Sequence, residues 1–158
     1  MRMRRYLTVA VMALMAITNP AMADQGHPHD EALVYGEPGD PSKPARIILV
    51  AMRETGSGMA FVPNQIKIRA GEQVKFVIRN NGELDHELVF ADLASNLKHG
   101  MEMAKNPDME HDDPNAARIE PKKVGEITWK FTNAGKFDFS CLLPGHREAG
   151  MFGTIIVQ

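Results

Sequence analysis

Phe137 to Val157 reads FDFSCLLPGHREAGMFGTIIV, and the reading of this stretch decides the fold. Its flanks are strand-like: Lys136 to Cys141 (KFDFSC) alternates in character, and Gly153 to Val157 (GTIIV) is rich in β-branched residues. Between them Pro144-Gly145 bends the chain, so the middle is a loop joining two strands. That loop carries Cys141, His146 and Met151 in a C-x4-H-x4-M pattern. A bent loop of this length can turn all three side chains toward one point.

Moving outward, further strand-like runs recur, some alternating (QIKIR, VKFVIR) and some apolar and β-branched (RIILVA). Arg46 to Ala51 (RIILVA), Gln65 to Arg69 (QIKIR), Val74 to Arg79 (VKFVIR), Glu87 to Phe90 and Glu126 to Phe131 (EITWKF) read as short strands. Ala70-Gly71-Glu72 and Asn80-Asn81-Gly82 are turn signals between them. Thr132 to Gly135 reads as a hairpin-type connection into the Lys136 strand. Short strands with frequent turns predict an all-β chain built as an antiparallel β-sandwich. One segment differs. Leu93, Leu97 and Met101 recur every four residues with Ala104 near the same face, which predicts a short helical insertion over 93–105, ended by Asn106-Pro107.

Composition narrows the function. The chain has 158 residues, 44% apolar and 24% charged, which is ordinary for one globular domain and excludes a mostly disordered chain. Its 18 basic residues do not exceed its 20 acidic ones, so no nucleic-acid partner is expected. The single cysteine, Cys141, excludes an intrachain disulfide and a zinc site made of several thiolates.

Met1 to Ala23 reads as a signal peptide: Arg2, Arg4 and Arg5, an apolar run from Leu7 to Ile17, then Ala21-Met22-Ala23. The apolar run is shorter than the roughly 20 residues of a membrane span, so an exported, periplasmic chain without an anchor is expected after cleavage. Arg4-Arg5 leaves both the general and the twin-arginine export routes open. Residues 24–44, rich in Gly, Pro, Asp and His and including His27 and His29, read as a flexible N-terminal arm, and 45–158 as the folded domain. An exported lone thiol pairs with another chain, reacts, or is held by a metal.

The donors favour the third outcome. His86, at the start of a strand after the Asn80-Asn81-Gly82 turn, is the best fourth ligand to join Cys141, His146 and Met151. A thiolate, two imidazoles and a weak thioether suit one metal, copper, in its type 1 site. Zinc gains little from a thioether. A Cys–His nucleophile pair is the rival, and it leaves Met151 and the sandwich unexplained.

On these residues the chain resembles a cupredoxin, over roughly Arg46 to Gln158. The likeness rests on FVPNQIKIRAGEQVKFVIRN, on His86 and on FDFSCLLPGHREAGMFGTIIV. The resemblance implies a Greek-key β-sandwich with one type 1 copper, Cu(I)/Cu(II), near one end. It carries over His86 and His146 as imidazole ligands, Cys141 as thiolate and Met151 as axial ligand. Within the family the likeness is to periplasmic cupredoxins associated with copper tolerance, through the D-H-E setting of His86 and a Met-rich segment ending in His111 to Asn115. The function it implies is copper tolerance, by binding or oxidising excess copper. The alternative is an electron shuttle between redox partners. No enzymatic activity is expected beyond Cu(I) oxidation at the bound copper.

Three further expectations follow. Many electron-transfer cupredoxins have, after the first histidine ligand, an Asn that ties the ligand loops. Glu87 stands there, so the loops are expected to rely on other contacts. His99, Met101, Met103, Met109 and His111 form a soft cluster suited to secondary copper contacts, or else Met101 packs with Leu93 and Leu97 while Met103 and Met109 fill gaps. Leu142, Leu143, Pro144 and Phe152 offer apolar surface near the ligands on which a redox partner could dock.

Overall fold

The computed structural model describes residues 33–106 and 113–158. The expected signal peptide and His27, His29, Met109 and His111 lie outside the described residues. The elements, in order, are β1 (Glu37–Pro38), β2 (Arg46–Thr55), β3 (Gly58–Val62), β4 (Gln65–Ile68), β5 (Gln73–Asn80), β6 (His86–Ala91), α1 (Leu93–Lys105), β7 (Ala116–Ile119), β8 (Val124–Lys130), β9 (Gly135–Ser140) and β10 (Phe152–Val157). They form two five-stranded sheets, β1-β8-β5-β2-β3 and β4-β10-β9-β6-β7.

The alternation that marked the strands has its physical cause in the interior. In β5, Val74, Phe76, Ile78 and Asn80 are buried while the residues between them are not. Apolar side chains on one face of each sheet meet those of the other. Trp129, Phe76, Phe90 and Phe131 fill the centre, with Phe90 edge-on to Trp129 at 5.1 Å between ring centres. β6 is buried at all six residues, since α1 packs against it and β9.

The sandwich departs from the expected antiparallel design. β2 pairs with β5 and β10 pairs with β4 in parallel, because the chain crosses between sheets before returning. Thr132 to Gly135 is one such crossing and not a hairpin, since β8 and β9 belong to different sheets. Strands β3 and β7 show no clear alternation that would mark them in the sequence.

The helix spans the expected 13 residues, with Asp92 capping its start by accepting from the Ser95 N–H at 3.0 Å. Its orientation overturns the packing expected of its apolar stripe. Leu93, Leu97 and Met101 are 51%, 46% and 60% exposed, whereas Asn96 and Met103 are buried. The buried face follows 96, 100 and 103, where Gly100 lies close to Leu142 and Asn96 donates to Asp138 Oδ2 at 2.8 Å. A specific polar contact and a small residue at the crossing set the helix rotation here, ahead of hydrophobic patterning.

The expected flexible arm is also corrected for its described part. β1 pairs with β8, and Tyr35 is buried. Its ring stacks on Trp129 at 5.7 Å and its carbonyl accepts the Trp129 indole N–H at 3.1 Å. A buried indole N–H requires such a partner. Tyr35→Ala should therefore destabilise the domain by about 3 kcal/mol, as large-to-small core changes do. The denaturation midpoint measures it, and a change within about 0.5 kcal/mol, the surface range, would show the segment to be no part of the core.

Candidate metal centre

Strand pairing sets the site. β6 runs antiparallel to β9, with Val89 opposite Ser140, so the strand that begins at His86 lies beside the strand that delivers Cys141. The Glu87 N–H points at Cys141 Sγ, 3.4 Å away. The ligand loop then closes on itself through its backbone. His146 N–H donates to Leu143 O, Met151 N–H to His146 O at 3.1 Å, and Cys141 N–H to Met151 O at 3.0 Å. Gly145 and Gly150 take positive φ, 86° and 99°, which other residues adopt only with strain. The loop is also fastened from the opposite sheet: Met59 N–H of β3 donates to Ala149 O at 2.8 Å. A Cβ on Gly58 would stand within 2.3 Å of that carbonyl.

Three predicted residues converge. His86 Nδ1 lies 3.2 Å from His146 Nδ1, which lies 3.2 Å from Cys141 Sγ, and a donor atom of each lies within 4.8 Å of the others. His86 and Cys141 are fully buried and His146 is half-buried. Met151, also fully buried, is held at the loop's end by the two backbone bonds just described. A thiolate and two imidazoles close enough to share one ion fit copper by their softness.

Burial, the largest effect, pushes the Cys141 thiol up to about 12; the Glu87 carboxylate adds to this while the Glu87 and Leu143 amides oppose it. The His146 imidazole is held below its ordinary range, first by burial and then by His86, so it stays neutral and able to ligate. Burial would raise the carboxyl of Glu54, but its own amide, those of Leu84 and Glu83, and His86 outweigh that and bring it to about 2.

Glu87 corrects an expectation. Its buried side chain accepts the Leu142 N–H at 2.8 Å, so it ties the His86 strand to the Cys141 loop itself. Next to His146, Arg147 forms a two-pronged ion pair with Asp138, 2.8 and 3.0 Å, and also contacts Ser140 Oγ. Asp138 receives Asn96 from α1 as well, so helix and ligand loop share one buried carboxylate. Sequence reasoning missed Glu54, Asn96 and Asp138; nothing in their spacing marked them.

Among the described residues, His99, Met101 and Met103 are not gathered together. Met103 lies in the core, Met101 is exposed on another face two residues away, and His99 lines a separate hollow with Tyr35 and Asp113. Of the expected docking patch, Leu142 and Leu143 are buried, leaving Pro144 and Phe152 exposed. Pro144 lines a groove of about 470 Å³ with Leu97 and Met101.

Residues 48–158 match the family described as copper binding proteins, plastocyanin/azurin family. The chain belongs to that family, and its cofactor is copper. It is 44% identical to the copper-resistant cuproprotein CopI of Rubrivivax gelatinosus, over 99% of this chain and 98% of that one. It is 32% identical to the protein of the same name from Pseudomonas aeruginosa, over 98% of each. Among solved structures, auracyanin B shares the fold with a TM-score of 0.63 and 24% identity, over 78% of this chain and 96% of that one.

The raised thiol has a consequence for the metal-free chain. In the fold Cys141 keeps its proton to about 12, whereas the unfolded thiol loses it near 9.0. Above that lower value the unfolded state binds fewer protons, so stability should fall as pH rises from 9.0 toward 12. Denaturant midpoints across this window should fall more steeply for the natural chain than for Cys141→Ala; equal slopes would contradict the burial of the thiol.

Proposed function

We propose that the protein is an exported copper-tolerance cupredoxin that binds or oxidises excess copper in the periplasm. Copper would be held by His86, Cys141, His146 and Met151. The observation that carries the reading is the convergence of the first three donors within 4.8 Å at one end of the sandwich. The tolerance role is supported by similarity along nearly the whole chain to proteins called copper-resistant cuproproteins. Export is supported by the charge, apolar run and A-x-A site of Met1 to Ala23.

When bound, copper supplies a one-electron couple and an intense thiolate-to-metal absorption. The chain supplies a largely buried, pre-shaped donor set whose loops are tied together. This limits rearrangement between redox states.

The second reading, an electron shuttle, is favoured by the apolar groove of Leu97, Met101 and Pro144 beside the ligand loop. The two readings separate in cells. In a strain lacking its own such protein, the natural chain should restore growth on copper. Cys141→Ser should lose both the visible band and protection, because a hydroxyl is a poor substitute for thiolate. Full protection by that variant would sink the tolerance reading as tied to this centre. Met101→Leu, which nearly conserves volume, should leave the visible band unchanged. A fall in extra Cu(I) bound would assign the exposed thioether to copper capture, and unchanged Cu(I) stoichiometry would leave it to the groove.

A further inference from the structure

Glu54 is the next-to-last residue of β2, and its carboxylate reaches the back of the site. Oε1 lies 3.1 Å from His86 Nε2. The same carboxylate accepts the Glu83 N–H at 3.1 Å and the Leu84 N–H at 3.0 Å. It is therefore held by the loop that leads into His86. Gly82 makes room for it: a Cβ there would stand 2.4 Å from a Glu54 oxygen. On the other side Asn80 grips the same loop, accepting the Gly82 N–H at 2.8 Å and donating to Leu84 O at 2.7 Å.

The two ring nitrogens of His86 thus have separate tasks. Nδ1 lies 3.2 Å from His146 Nδ1, while Nε2 faces Glu54. His86 is fully buried, so an N–H on Nε2 must find its acceptor within the protein. A carboxylate there orients the ring, fixes the tautomer and makes the imidazole a stronger donor.

We propose that Glu54 is a positioning residue of the copper centre: it accepts the His86 Nε2–H, leaves Nδ1 free for the metal, and by its negative charge favours Cu(II) over Cu(I). The proposal rests on His86 being a copper ligand. A negative charge near the metal stabilises the more positive state. The consequence is a centre that holds oxidised copper more firmly than a neutral acceptor would allow.

The full mature chain tests this, with copper as the probe. Metal content and the thiolate-to-copper band of the natural protein, together with their loss in His86→Ala, establish the copper reading first. If they fail, the proposal falls with it. Glu54→Gln keeps an acceptor oxygen and removes the charge. The preference for Cu(II) over Cu(I) should fall about tenfold, which is a rise in reduction potential of about 59 mV for a one-electron couple. An unchanged or lower potential in a variant that still shows the band overturns the role of Glu54 while leaving the copper reading intact. A second measurement needs no variant. In the Cu(I) protein the His86 Nε2 proton should be seen by NMR, strongly deshielded and slow to exchange with water. A fast-exchanging proton, or none on Nε2, equally overturns the proposal.

Discussion

The pairing of β6 with β9 is the constraint on which the site depends. A soft thiolate and an imidazole separated by 55 positions in the chain can meet only if two strands are brought into one register, because a slip of one residue turns every side chain to the opposite face. Val89 opposite Ser140 sets that register. The aromatic interior around Phe90 and Phe139 holds it, since both rings are fully buried on the paired strands. The remaining donors then come from one loop that the same strand continues into, so a single ladder positions the donor set.

Much of this was legible in the sequence because it is carried by local patterns. Seven strands showed themselves through alternation or apolar, β-branched runs, the helix through its four-residue period, and the converging His86, Cys141 and His146 through their types and setting. What escaped was decided by distant partners. The rotation of α1 follows from Asn96 reaching Asp138 and from Gly100 lying close to Leu142, neither of which a helical period can report. Tyr35 looked like part of a polar arm because its ring finds Trp129 only in three dimensions. Glu54 lies 32 positions from His86, in a strand whose alternation gave it no distinction.

Two carboxylates flank the ligands in different ways. Glu87 ties the loops by accepting a backbone amide, and Glu54 meets the imidazole directly. The neighbouring Asp138 is different, because Arg147 neutralises it through two contacts. Beside the donors, the carboxylate held ionised is that of Glu54, at about 2, while Glu87 stands where many electron-transfer cupredoxins carry an amide side chain. Charge of this kind alters the balance between oxidised and reduced metal without any change of ligand.

The bond between Met59 and Ala149 gives the ligand loop an anchor outside its own sheet. A loop fixed only at its strand ends could swing outward and trade its ion with solvent while the sandwich stayed intact. Here the loop is stitched to β3 across the interface between the layers, and Gly58 permits no thicker seam. An outward swing of the ligand loop would therefore have to break a bond to the opposite layer as well as those within its own sheet.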